Sequence, residues 1–146
     1  MGLSETRWTG TGEINQDGYK IIFSGRQYGI HQGGVAMVLQ KEAQRSLIGY
    51  DTVSPRIIKA RFRTSNGATI IIQVYAPTST TSEDDIDDFY TQLQSAVEES
   101  SNHDMMVITG DFNAKLDQIG IHGREQLKNV GMGRKITEER DCYISV

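Results

Sequence analysis

A single cysteine, Cys142, rules out a disulfide within the chain, and so low a count fits a reducing compartment. No apolar stretch approaches the ~20 residues that would span a bilayer. The start, Met1–Glu5, carries a charge where a secretory signal would need its apolar segment. We therefore expect an intracellular protein, nuclear or cytoplasmic rather than secreted, with no membrane attachment and no disulfide partner. Its oligomeric state is left open. His31, His103 and His122 lie scattered in polar segments without metal-ligand spacing, which argues against zinc. There is no internal repeat and no low-complexity tract.

What is present suits one soluble globular domain. Hydrophobic residues make up 37% and charged ones 23%, and 146 residues can build one core but not comfortably two. The net charge of −4 is unevenly spread. Glu83, Asp84, Asp85, Asp87 and Asp88 supply five acids; without them 15 basic residues face 14 acidic ones, a balance of +1. Arg56, Lys59, Arg61 and Arg63 form a basic stretch, and Arg124, Lys128, Arg134, Lys135 and Arg140 make the tail basic. Such clusters can grip a phosphate backbone. They are equally compatible with ordinary solvated faces.

Tyr19–Phe23 reads as a short strand, and Val35–Leu39 as a strand buried on both faces. Between Arg56 and Arg63, Ile58, Ala60 and Phe62 alternate with Lys59, Arg61 and Arg63, predicting a half-buried strand with a wet, basic side. The turn signal Ser65-Asn66-Gly67 should join it to Thr69–Tyr75 as an antiparallel hairpin. After a polar loop the period changes. Ile86, Phe89, Tyr90, Leu93 and Val97 mark one stripe of an amphipathic helix. Ser82 is its expected N-cap, with Asp85 in a capping-box-like place, and the helix dipole accounts for the acids of the first turns. They need no metal. Asp104–Thr109 reads as another buried strand, and the whole as a layered α/β domain. From Gln118 the pattern fades; a short helix or strand is expected within residues 136–146.

Three short motifs follow one another at or beside strand ends: Ser4-Glu5-Thr6-Arg7-Trp8, Gln73-Val74-Tyr75-Ala76-Pro77-Thr78 and Thr109-Gly110-Asp111-Phe112-Asn113-Ala114. Loops carried by a rigid scaffold are where chemistry is usually sited. Two carboxylates, a phenol and a carboxamide brought together could hold a hard divalent cation against a phosphate. Taken singly, each has a plainer use. Glu5 would serve as a surface glutamate, Tyr75 as a strand tyrosine, and Asp111 with Asn113 as an Asx turn.

In this order the motifs resemble the endonuclease/exonuclease/phosphatase superfamily. The likeness is greatest to the AP-endonuclease-like domain of non-LTR retrotransposons and to the craniofacial development protein 2-like proteins. It runs clearly over residues 2–117 of a domain taken as 1–146, with 118–146 uncertain. The resemblance implies a DNase I-like α/β sandwich of two packed sheets with outer helices, and Mg²⁺-dependent (or Mn²⁺-dependent) hydrolysis of DNA phosphodiester bonds. It implies Glu5 as metal ligand, Asp111 as the group orienting or deprotonating the attacking water, and Asn113 as a hydrogen-bond partner of the scissile phosphate. Tyr75 stands where other superfamily branches carry histidine, which points to nucleic acid rather than lipid or inositol substrates. The alternating basic face makes Lys59, Arg61 and Arg63 the candidate DNA contacts. The family's first asparagine motif has no room before Glu5, and its Ser-Asp-His motif and an intermediate catalytic aspartate are absent. A fold cut at both ends is therefore expected. Two rival readings follow: a catalytically incomplete, host-adopted remnant acting as an interaction module, and a phosphatase or non-nucleic-acid phosphodiesterase on the same fold.

Overall fold

Side-chain alternation along the central strands decides the layering. The computed structural model describes residues 1–27, 29, 31–78, 80–100, 103–113 and 144–145. In chain order these form β1 (Gly2–Ser4), β2 (Thr11–Gln16), β3 (Tyr19–Ser24), β4 (Val35–Leu39), α1 (Lys41–Ser46), β5 (Leu47–Ser54), β6 (Ile57–Thr64), β7 (Gly67–Tyr75), α2 (Glu83–Glu98), β8 (Met105–Asp111) and β9 (Ile144–Ser145). One sheet has the order β1-β4-β3-β2, the other β5-β6-β7-β8-β9. Every pairing is antiparallel except β7 with β8, the parallel pair that α2 connects.

Ile58, Ala60 and Phe62 on one face of β6 meet Ile22, Val35, Met37 and Leu39 of the first sheet. Ile57, Ile70, Ile72, Val74, Met106 and Ile108 face the other way and bury Phe89, Leu93 and Ala96 of α2. The result is sheet on sheet with a helix outside, the expected DNase I-like architecture. Burying a Leu or Phe side chain stabilises by roughly 1.5–3 kcal/mol, so α2 is held mainly by these three residues. Its start is capped as expected. Ser82 Oγ accepts from Asp85 N at 3.3 Å and donates to the Asp85 carboxylate at 2.9 Å.

Four elements lie outside the sequence expectations. β1 has only three residues, too few to show a period. β2 is an edge strand exposed along almost its whole length, so it has no apolar alternation to read. Its only signal is Asp17-Gly18, whose φ values of 52° and 82° make the tight turn that sets Gln16 opposite Tyr19. β5 is the edge of the second sheet, and its pairing with β6 shifts register twice, which blurs its period. α1 is a six-residue helix with no buried residue. One expectation is corrected. The basic face of β6 is wet at Arg61 and Arg63, but the Lys59 side chain is only 14% exposed because the end of α2 covers it. Its ammonium lies 3.4 Å from Ala96 O and 3.5 Å from the Glu99 carboxylate. The expected element within 136–146 is described only as β9; the rest of that segment, the basic tail, His122 and Cys142 lie outside the described residues.

Candidate active site

β1, β7 and β8 all finish at one end of the sandwich, and the antiparallel β4 and β6 begin there. Ser4 Oγ donates to Val74 O at 3.4 Å and accepts from Gln73 Nε2 at the same distance. Glu5 follows Ser4 and Tyr75 follows Val74, so both leave the packed interior at one level. Beyond β1 the loop is pinned by Thr6 N donating to Gly34 O at 3.2 Å and Arg7 N to Gly33 O at 2.8 Å. A Cβ on Gly33 would stand 3.7 Å from the Tyr75 ring, so this loop lies directly against the phenol side chain.

Glu5 and Arg7 both adopt left-handed backbone, with φ of 56° and 57°. For non-glycine residues that costs about 1–3 kcal/mol each and persists only where surroundings enforce it. Their side chains form an ion pair of 3.1 Å, with Arg7 67% and Glu5 54% exposed. A pair so exposed is weak. A competing cation can displace Arg7 from the Glu5 carboxylate at little cost.

Tyr75 and Asp111 are direct register partners in the parallel ladder, and Ala76 N continues it to Asp111 O at 2.8 Å. Gly110 makes that approach possible: at φ 140° a Cβ there would collide with the Val74 backbone. Asn113 N donates to Asp111 Oδ1 at 2.9 Å, and Asn113 Nδ2 to Ala76 O at 2.9 Å. The Asx turn weighed from the sequence therefore exists, and it holds both side chains beside Tyr75 while Phe112 packs on the core. Asp111 keeps its second carboxylate oxygen free of partners among the described residues, and Asn113 its carbonyl.

Arg56, at the start of β6, was grouped in the sequence with the basic stretch but not with the site. Its Nη1 donates to Tyr75 O at 3.1 Å, and its guanidinium carbon stands 5.2 Å from the Tyr75 ring centroid. Burial lowers its pKa, and the charge of Arg26 lowers it further. Ser24 Oγ donates to Ser54 O at 2.8 Å, which brings the segment leading to Arg26 beside the one leading to Arg56. Arg26 carried no signal that distinguished it as part of the site; Trp8 stood in the first motif but was given no role. Lys59, Arg61 and Arg63 are elsewhere. They share the α2-facing side of β6, and Arg63 pairs with Ala68 at the opposite end of the strand from Tyr75. Arg61 Nε is bound at 2.8 Å to Asp104, whose side chain is 8% exposed. His103 stands in the turn before β8, as expected.

A cavity of about 500 Å³ runs between the sheets behind the site, bounded by Ser4, Gln73 and Asp111 among others. Two buried side-chain oxygens lack partners among the described residues, Thr6 Oγ1 and Gln73 Oε1. Both flank the segment carrying Glu5, and unsatisfied groups in a native fold ask for an explanation of this kind.

With two stacked sheets, an outer helix and polar groups gathered at one strand end, the chain has the DNase I-like fold of the endonuclease/exonuclease/phosphatase proteins. It superposes on the endonuclease domain of TRAS1, a telomere-specific non-LTR retrotransposon, with a TM-score of 0.64 at 14% identity, over 88% of this chain and 65% of that one. Against the AP endonuclease LMAP from Leishmania major the TM-score is 0.66 at 9% identity, over 99% and 68%. In sequence it is similar to craniofacial development protein 2. The protein from Bos taurus is 35% identical over 142 residues, 94% of this chain and 24% of that protein; the one from Tragulus javanicus is 34% identical over 142 residues. The chain thus spans about a quarter of the length of these curated relatives. No family model matches it. The likeness expected from the three motifs is borne out.

Proposed function

We propose that residues 1–146 form one nuclease-type domain of an intracellular protein, acting in the nucleus or cytoplasm, that hydrolyses DNA phosphodiester bonds with the help of Mg²⁺ or Mn²⁺. The observation that carries this reading is the convergence of Glu5, Tyr75, Asp111 and Asn113 at one end of the sandwich, with Tyr75 and Asp111 in register. The donor set suits such a cation. Mg²⁺ takes hard oxygen ligands, keeps several waters and commonly uses only one or two carboxylates. Among the described residues no cluster of three or more His, Cys, Asp or Glu exists that would cage an ion more tightly. Glu5 would hold it, and when bound it supplies positive charge to a phosphate oxygen.

The remaining work falls to the chain itself. Asp111 uses its free carboxylate oxygen to orient the attacking water and take its proton, with the Asx turn fixing its rotamer. Asn113, through the second hydrogen of Nδ2, and the Tyr75 phenol donate to the non-bridging phosphate oxygens, where charge builds as the water oxygen adds to phosphorus; the P–O bond to the leaving strand then breaks, and its oxygen takes a proton from solvent. Arg56, stacked beside Tyr75, offers a cation to the same strand. A supercoiled plasmid incubated with the protein and Mg²⁺ should be nicked, and Glu5→Ala should abolish nicking without reducing the protein's fold.

A second reading has an observation of its own. Asp111 Oδ1 and Asn113 Nδ2 are already engaged in a turn that needs no substrate. A host-adopted interaction module would keep that turn for its structure. DNA binding with no nicking in Mg²⁺ or Mn²⁺ would select it.

A further inference from the structure

Trp8 is the only tryptophan of the chain, and it lies three residues beyond Glu5 on the same strand-end loop. It packs edge-on against Phe23, with ring centroids 5.2 Å apart and planes at 89°, yet 40% of it stays exposed. The backbone around it is fixed from several sides. Gly10 N donates to Arg26 O at 3.0 Å, Gly25 N to Gly10 O at 2.8 Å, and Arg7 N to Gly33 O at 2.8 Å. Gly25 lies so close to Trp8 O that a Cβ there would collide with it. An indole exposed on so rigid a loop loses little freedom when something flat lands on it.

Its surroundings name what that would be. Arg7 and Arg26 are both exposed beside it. Ser24 Oγ donates to Ser54 O at 2.8 Å, which brings the segment leading to Arg26 beside the one leading to Arg56, and Arg56 covers Tyr75. The rim therefore runs Trp8, Arg26, Arg56, Tyr75, with aromatic groups at its ends and cations between them. Aromatic platforms with guanidinium groups between them suit a single-stranded nucleic acid, whose bases stack while its phosphates are neutralised. A duplex keeps its bases stacked on one another and offers none to Trp8.

We infer that Trp8 is a stacking platform for an unpaired nucleobase on the strand held at Tyr75, with Arg26 contacting the intervening phosphate. This rests on the nucleic-acid reading of the site and extends it to a preference for unpaired or distorted DNA. The plain alternative makes Trp8 a cover for Phe23 at the base of the β2–β3 hairpin, indifferent to ligand.

The tryptophan itself reports the answer. Protein in EDTA is titrated with single-stranded oligothymidylate, with an abasic oligomer of equal phosphate number, and with a blunt duplex. Indole fluorescence is followed together with anisotropy of a labelled strand. Oligothymidylate should quench the indole strongly, while the abasic strand and the duplex bind with little quenching. Trp8→Ala should weaken oligothymidylate binding roughly five- to a hundredfold, the range for losing one aromatic–base stack, and leave the abasic strand unaffected. Trp8→Phe, which keeps the packing on Phe23, should retain most of the affinity, and it serves if Trp8→Ala does not fold. Binding without quenching, or equal quenching by the abasic strand, overturns the platform while the nuclease reading stands. No binding of any strand by anisotropy, either in EDTA or with Ca²⁺ added in its place, overturns both.

Discussion

Replacing Gly110 by alanine tests the geometry on which the whole site depends. Gly110 sits between Thr109 and Asp111 on β8, opposite Val74 of β7, with φ at 140°. That backbone region is essentially closed to residues with a side chain, at a cost of about 1–3 kcal/mol. A Cβ would in addition run into the Val74 carbonyl, so the ladder between β7 and β8 must open locally. We expect a total loss of about 3 kcal/mol or more, a large share of the ~5–15 kcal/mol available to a domain. Urea unfolding followed by circular dichroism measures it. Gly49→Ala is the control, because a Cβ there meets nothing within 4 Å and its φ is ordinary; it should change stability by no more than about 0.5 kcal/mol. A Gly110→Ala protein within about 0.5 kcal/mol of the parent, with an unchanged m value, would show that β7 and β8 do not approach as described. Tyr75 and Asp111 would then lose their shared register.

Other outcomes follow from the same contacts. Arg61→Gln should destabilise by about 1–3 kcal/mol, because it strips the nearly buried Asp104 carboxylate of its charged partner; the midpoint of urea unfolding reads this. Ser82→Ala removes the cap of α2 and should cost about 1 kcal/mol in the same assay. Burial raises the Tyr90 pKa above 10.0. A raised pKa means that its contribution is whole below the unfolded value and is lost as pH climbs through the higher folded one. Thermal melts from pH 9 upward should therefore fall less steeply in Tyr90→Phe than in the parent.

Much of this protein could be read before any coordinates. The stripe from Ile86 to Val97, the continuous apolar run of Val35–Leu39 and the alternation after Arg56 fixed one helix and two strands, because burial imposes a period on a sequence. Ser65-Asn66-Gly67 and Ser82 acted through local backbone chemistry, and the three motifs carried the family likeness. What local pattern could not supply was which ends meet. The strand ends bearing Glu5, Tyr75 and Asp111 lie far apart in the chain, and only the parallel β7–β8 ladder and the packing of Ser4 on Val74 bring them together. Charge was the least legible property. Lys59, Arg61 and Arg63 looked like a free basic face, but α2 folds its end over Lys59 and Asp104 takes Arg61. Arg56, the first basic residue of the same run, comes to rest against Tyr75. A side chain's charge is written in its residue, but its partner is chosen by long-range packing, and that only the tertiary structure decides.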